Sequence, residues 1–170
     1  MSIQLHKIFA DFPVKAALPL MVLTLVSLTA VFAAETPQLP DGFRSWVHVG
    51  TGVIMPGTSP QLASEEGMHH IFANNKAADA YANGNFPDGS IVVYELREPK
   101  QTSGVIVEGD PKRLDVMIKD SAHYASTGGW RFERFWPKEP ATDAVHDGGT
   151  SCFQCHSKAS AHGFVFSRMQ

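Results

Sequence analysis

Residues 90–97 alternate strictly, with Val92, Tyr94 and Leu96 on one side and Ile91, Val93, Glu95 and Arg97 on the other. A period of two marks a β-strand, whose successive side chains point to opposite faces. Residues 114–118 repeat it: Leu114, Val116 and Ile118 fall together, and Asp115 and Met117 oppose them. The runs at 43–49, 53–55, 68–72, 105–108 and 130–136 are rich in β-branched and aromatic residues and predict further strands. Turn formers separate them, as at Pro56-Gly57, Pro87-Asp88-Gly89 and Gly128-Gly129. Helical pattern is brief. Asn74 and Asn75 can cap an alanine-rich stretch at 76–82 that Gly84 ends, and residues 120–125 fit a single helical turn. Residues 58–67 read as a surface loop, and 137–149 as a connector rich in proline, aspartate and glycine. The expected fold class is α+β, a mainly antiparallel β-sheet with a few short helices, forming one domain over residues 43–170 behind a flexible lead-in at 34–42.

The first 33 residues do not fit that domain. Lys7 and Lys15 precede an apolar run from Ala16 to Ala30, and Val31 and Ala33 suit a cleavage site after Ala33. This is the pattern of a secretory signal peptide. An uncleaved membrane anchor is the alternative, although the run is shorter than the ~20 residues of a spanning helix and contains Pro19. The whole chain has 14 basic and 17 acidic residues among 170. Cleavage removes Lys7, Lys15 and Asp11 and leaves 12 basic and 16 acidic residues. Such a mildly acidic chain with no basic stripe is not expected to bind nucleic acid.

The chain has two cysteines, and both lie in Cys152-Phe153-Gln154-Cys155-His156. The C-x-x-C-H spacing is that of covalent c-type haem attachment, in which each thiol adds to a haem vinyl group and the adjoining histidine ligates the iron. The expected cofactor is one haem c, anchored by Cys152 and Cys155, with His156 as metal ligand. A zinc half-site lacks the further cysteines it needs. A redox dithiol is expected early in a βαβ pattern, not late in a β-rich chain. An exported, periplasmic location agrees with haem attachment outside the cytoplasmic membrane. With the motif so late, a second axial ligand has to come from upstream or from Met169.

The segments Phe43-Arg44-Ser45-Trp46-Val47-His48-Val49-Gly50-Thr51 and Phe86-Pro87-Asp88-Gly89 with the strand after it, then Lys119-Asp120-Ser121, Gly129-Trp130 and the terminal motif, resemble the cytochrome P-460 family over nearly the whole mature chain. The resemblance implies a compact, mainly antiparallel β domain with C-terminal haem attachment, often a homodimer. It implies histidine on one side of the haem and an open or weakly occupied face on the other. It further implies oxidation of hydroxylamine or nitric oxide, or, as in the related cytochromes c-prime-beta, binding of nitric oxide and carbon monoxide. Hydroxylamine-oxidising members carry a haem-linked lysine just before the glutamate of the strand that follows the turn. This chain has Tyr94 there, ahead of Glu95.

Tyr94 is therefore expected either as a buried aromatic with its hydroxyl hydrogen-bonded or as a residue bonded covalently to the haem edge. His69, at a position where the resemblance implies an arginine, is either a ligand-facing imidazole or an ordinary partly buried one; His70 points the other way. Asp115, at a family glutamate position, either moves protons or pairs with an arginine. Phe72, Phe86, Phe132 and Phe135 are expected as apolar walls. The expected function is binding or conversion of a small diatomic or hydroxylamine-like nitrogen species, with a periplasmic electron-transfer partner. The alternative is a six-coordinate electron carrier, with His69 or a methionine as sixth ligand.

Overall fold

A computed structural model of the chain describes residues 37–137 and 145–169. The expected signal segment and the middle of the 137–149 connector lie outside the described residues.

Five strands form one antiparallel sheet in chain order: β1 (Val47–Ile54), β2 (Gly67–Ala73), β3 (Ile91–Thr102), β4 (Val105–Lys119) and β5 (Trp130–Phe135). Two helices accompany it, α1 (Asn75–Ala80) and α2 (Thr150–His156), with short 3-10 segments at Phe43–Ser45, Pro60–Glu65, Ala125–Thr127 and Ser157–His162. The expected α+β class, mainly antiparallel sheet with a few short helices, is what the chain adopts. Asn74 caps α1 as expected, its side chain accepting from the Ala77 amide at 2.9 Å.

Alternation assigns the sheet two faces. Val92, Met117, Phe132, Ala73 and Val49 lie on one, packed with Ala77, Ala80 and Tyr81 of the α1 region and with Trp130 and Val165. Val93, Leu114, Val116 and Phe135 lie on the other, under Phe43 and beside Trp46 and Phe72. Both faces are covered there, so residues 91–94 of β3 and 116–118 of β4 are apolar or aromatic at every position. The second face also buries Glu95, whose carboxylate accepts from Arg44 Nη2 at 2.7 Å and Arg97 Nη1 at 2.6 Å.

Three sequence expectations change. Residues 43–45 form a 3-10 turn rather than the start of a strand, and β1 runs from Val47 through Gly50 and Gly52, with a bulge between His48 and Gly50. Residues 58–67 are not all loop: Pro60–Glu65 is helical and Gly67 opens β2. The separate strands expected at 105–108 and 114–118 are one, β4, which continues through Pro111 because the β3–β4 register shifts beside it, between Leu96 and Arg97 and between Arg97 and Pro99.

Beyond Arg97, β3 and β4 run on as a two-stranded arm that leaves Val105, Ile106 and Val107 exposed. Leu96, by contrast, is 1% exposed. Leu96→Ala is expected to destabilise the fold by about 2–5 kcal/mol through cavity formation, and Val105→Ala to stay within about 0.5 kcal/mol of wild type. Urea denaturation of the two variants measures both.

Candidate haem site

The helix α2 brings the motif together. It follows Gly148 and Gly149, both at positive φ (64° and 85°), and the Asp147 carboxylate accepts from the Gly149 and Ser151 amides at 3.0 and 2.9 Å. These bonds supply partners for first-turn donors that a helix leaves unpaired. Cys152 and Cys155 are three residues apart and His156 four beyond Cys152, so one helix face presents all three. Cys152 is half-buried among Phe153, Phe164 and the first-face core, whereas Cys155 is exposed.

His156 lies between the rings of Phe132 and Phe166, at centroid distances of 5.1 and 5.2 Å. Its Nδ1 is 2.7 Å from the carbonyl oxygen of Phe164. A carbonyl only accepts, so the proton resides on Nδ1 and the Nε2 lone pair is left for a metal. Burial lowers the pKa of His156, against the opposing effect of the Phe164 hydrogen bond, and favours the neutral, ligating form.

Facing this helix, the first face of the sheet presents two cross-strand rows. Arg134, Asp115, Tyr94 and Ile71 are register partners, and Arg113, Leu96 and His69 form the next row. Tyr94 and His69 stack diagonally, ring centroids 5.3 Å apart and planes 18° from parallel. The His69 ring lies over Gly52, where a Cβ would come within 2.8 Å of it, so glycine at that position makes its seat. Among the described residues, the buried His69 Nδ1 has no hydrogen-bond partner, and the buried Tyr94 hydroxyl, which has none of strict geometry, lies beside the Glu65 carboxylate, which acts on it as a charge and as an acceptor. Burial raises the Tyr94 pKa far above the ordinary phenol range, and the negative Glu65 adds to it. Burial and the neighbouring His70 lower that of His69. Both rings are neutral at pH 7.

Asp115 is paired. Arg134 Nε donates to its Oδ1 at 2.6 Å, and Arg113 Nε stands 2.9 Å from its Oδ2, close enough for an ion pair but without hydrogen-bond geometry. The two arginines thus realise the pairing alternative for Asp115. Asp115 and Arg134 also act electrostatically on Cys152, and Asp115 and Glu65 on His156, which places the motif near the Asp115–Arg134 pair.

The sequence model for Cytochrome P460 matches residues 40–167, most of the chain. The chain belongs to the cytochrome P460 family. No curated relative matches it. Membership makes the chain a haem-binding cytochrome, and the residues fit that group: a half-buried and an exposed thiol on one helix face, an imidazole whose free nitrogen is Nε2, and on the sheet opposite an unpartnered His69 Nδ1 beside the Tyr94 ring.

As a P460 family member the chain also has features that its sequence did not announce. Glu65, at the end of the 3-10 segment, receives Arg113 Nη2 at 2.6 Å, while Arg113 Nη1 donates to the Ser64 carbonyl at 3.0 Å. This buried cation, 4% exposed, ties residues 64–65 to the sheet and stands over the Tyr94 ring, 5.7 Å from its centroid. A strand read through Pro111 would have put Arg113 on the Asp115 face by parity, but nothing in the pattern of residues 58–67 marks Glu65. Two expected walls move: Phe72 and Phe135 belong to the second face, while Phe86 and Phe132 are on the first. His70 points to the second face as expected, 3.1 Å from Glu108. Met169 is 44% exposed.

Arg113→Met leaves Glu65 and Asp115 without a buried cation and is expected to cost about 3–5 kcal/mol in urea denaturation. For Glu65 and Glu95, burial opposes ionisation but the facing arginines outweigh it, and both carboxyls titrate below their ordinary value of 4.5. A depressed folded-state pKa contributes stability that is present above the unfolded value and is lost as pH falls through the folded one. The thermal midpoint is therefore expected to hold from neutral pH down to about 5 and to fall below 4.5, as scanning calorimetry across that range would record.

Proposed function

We propose that this chain is an exported monohaem c-type cytochrome whose iron is held by His156 and whose opposite face, lined by Tyr94 and His69, takes up small neutral nitrogen species such as nitric oxide. Thioether bonds from Cys152 and Cys155 fix the haem against α2. The observation that carries the reading is the His156 Nδ1 bond to the Phe164 carbonyl, which reserves Nε2 for iron. When bound, haem iron supplies a ligand-binding position and one-electron redox chemistry.

The chain's own groups shape what that position accepts. Tyr94 stays a neutral phenol beside the Glu65 carboxylate, and its hydroxyl proton can turn from that carboxylate to a bound ligand. His69 stays a neutral imidazole with one unpartnered nitrogen. Asp115 holds Arg134 and Arg113 in place, so proton movement at a bound ligand falls to Tyr94 and His69. The chain lacks the lysine of hydroxylamine-oxidising members, and ligand binding is the primary activity proposed, with hydroxylamine oxidation secondary. An electron-transfer partner in the periplasm completes the reading.

The unpartnered Nδ1 of His69 also favours a second reading, in which that nitrogen fills the sixth position and the protein is an electron carrier. Visible spectra of protein matured in an export-competent host separate the two. A high-spin ferrous spectrum that changes promptly with nitric oxide or carbon monoxide is expected. A sharp low-spin spectrum indifferent to either gas, becoming high-spin in His69→Ala, would instead establish the electron carrier. Serine at both Cys152 and Cys155 is expected to leave no haem bound through acid–acetone extraction. Tyr94→Phe is expected to raise the nitric oxide dissociation rate about fivefold, the equivalent of one hydrogen bond of about 1 kcal/mol.

A further inference from the structure

Phe164 stands in the left-handed region at φ 68°, and the other non-glycine residue there, Ser103, lies at the β3–β4 turn. A bulky side chain is costly in that conformation and persists only where its surroundings hold it. The surroundings are specific. The ring packs against Phe153, centroids 5.4 Å apart, and fills the space that Gly128 leaves, since a Cβ at Gly128 would come within 2.8 Å of it. The peptide before it is clamped from outside: the indole Nε1 of Trp130, a fully buried residue, donates to the Gly163 carbonyl at 2.9 Å. The Phe164 amide donates to the Ala159 carbonyl at 3.0 Å. Gly163 also has positive φ, 62°, and a side chain there would strike the Gly84 carbonyl. What this turn delivers is the carbonyl that receives the His156 Nδ1 proton at 2.7 Å.

We propose that Phe164 is a positioning residue for the haem: its wedged ring holds a strained turn whose carbonyl orients His156 and strengthens it as an iron donor, with Trp130 as the second clamp. The proposal rests on the reading of His156 as the iron ligand. A hydrogen bond from the far nitrogen raises the basicity of a ligating imidazole, and such outer partners tune a metal as well as orient its ligand. A well-held carbonyl therefore makes a stronger iron–histidine bond and a lower reduction potential than a mobile one. Since Phe153 of the wedge lies between the two cysteines, the same packing joins the attachment helix to the turn.

The test is Phe164→Ala in the haem-loaded protein, measured by resonance Raman of the ferrous form and by spectroelectrochemistry. The iron–histidine stretch is expected to move to lower frequency and broaden, and the midpoint potential to rise. Trp130→Phe, which removes the indole donor and keeps most of the volume, is expected to shift both in the same direction by less. A residue that only fills space would lower the melting temperature and leave both readouts at their wild-type values, and that result in Phe164→Ala overturns the proposal. Where the alanine protein does not accumulate, Phe164→Gly, which removes the ring and relieves the turn, is judged by the same two readouts. Wild-type protein without covalently bound haem would overturn the reading of the site itself, and the proposal with it.

Discussion

The constraint on which the rest of this structure depends is that a meander sheet must have both of its faces covered. Each strand sends alternate side chains to opposite sides, and here both sides are covered along residues 91–97 of β3 and 111–119 of β4. One face is closed by Phe43 and its neighbours, with the Glu95 cluster at its edge. The other is closed by α1 and by the segments around the attachment helix. Where apolar cover gives way on this first face, the rows of Tyr94, His69, Arg113, Asp115 and Arg134 take its place. The site is thus the polar continuation of a packed surface, and its precision comes from strand register.

Charge is arranged accordingly. Carboxylates near the site face guanidinium groups, which keeps ionised groups in a partly buried region at tolerable cost. The rings between them, Tyr94 and His69, are neutral aromatics. A neutral, hydrogen-bonding surface beside a fixed ion network suits uncharged ligands, because admitting an unpaired charge would add a desolvation penalty that nothing there offsets.

Much of this was legible in the residues, for reasons that separate cleanly. Parity put Tyr94 with Val92 and Leu96, Asp115 with Met117, and His69 opposite His70, since a strand's period admits no other arrangement, and the register between strands then brings Tyr94, Asp115 and His69 to one face. The spacing of Cys152, Cys155 and His156 specified a shared helix face. Parity also separated Phe72 from Ile71 and His69, so its expected place as a wall of the site contradicted the alternation that surrounded it. Other features needed three dimensions. Pro111 is read as a strand breaker, but a register irregularity at that point spares the sheet the missing donor. Glu65 comes from a segment with no period and earns its position from an arginine 48 residues later in the chain. Phe164 looks like any apolar residue near a C-terminus until its backbone angle is known.

The order of the sheet has a consequence for assembly. Neighbouring strands are neighbours in sequence throughout, so each pairing closes a short loop and none waits for a distant segment. All five precede α2, and a chain emerging from its N-terminus can complete the sheet before the two thiols appear. Helix α2 then meets a finished surface, and the end of the chain docks as a short tail onto a template.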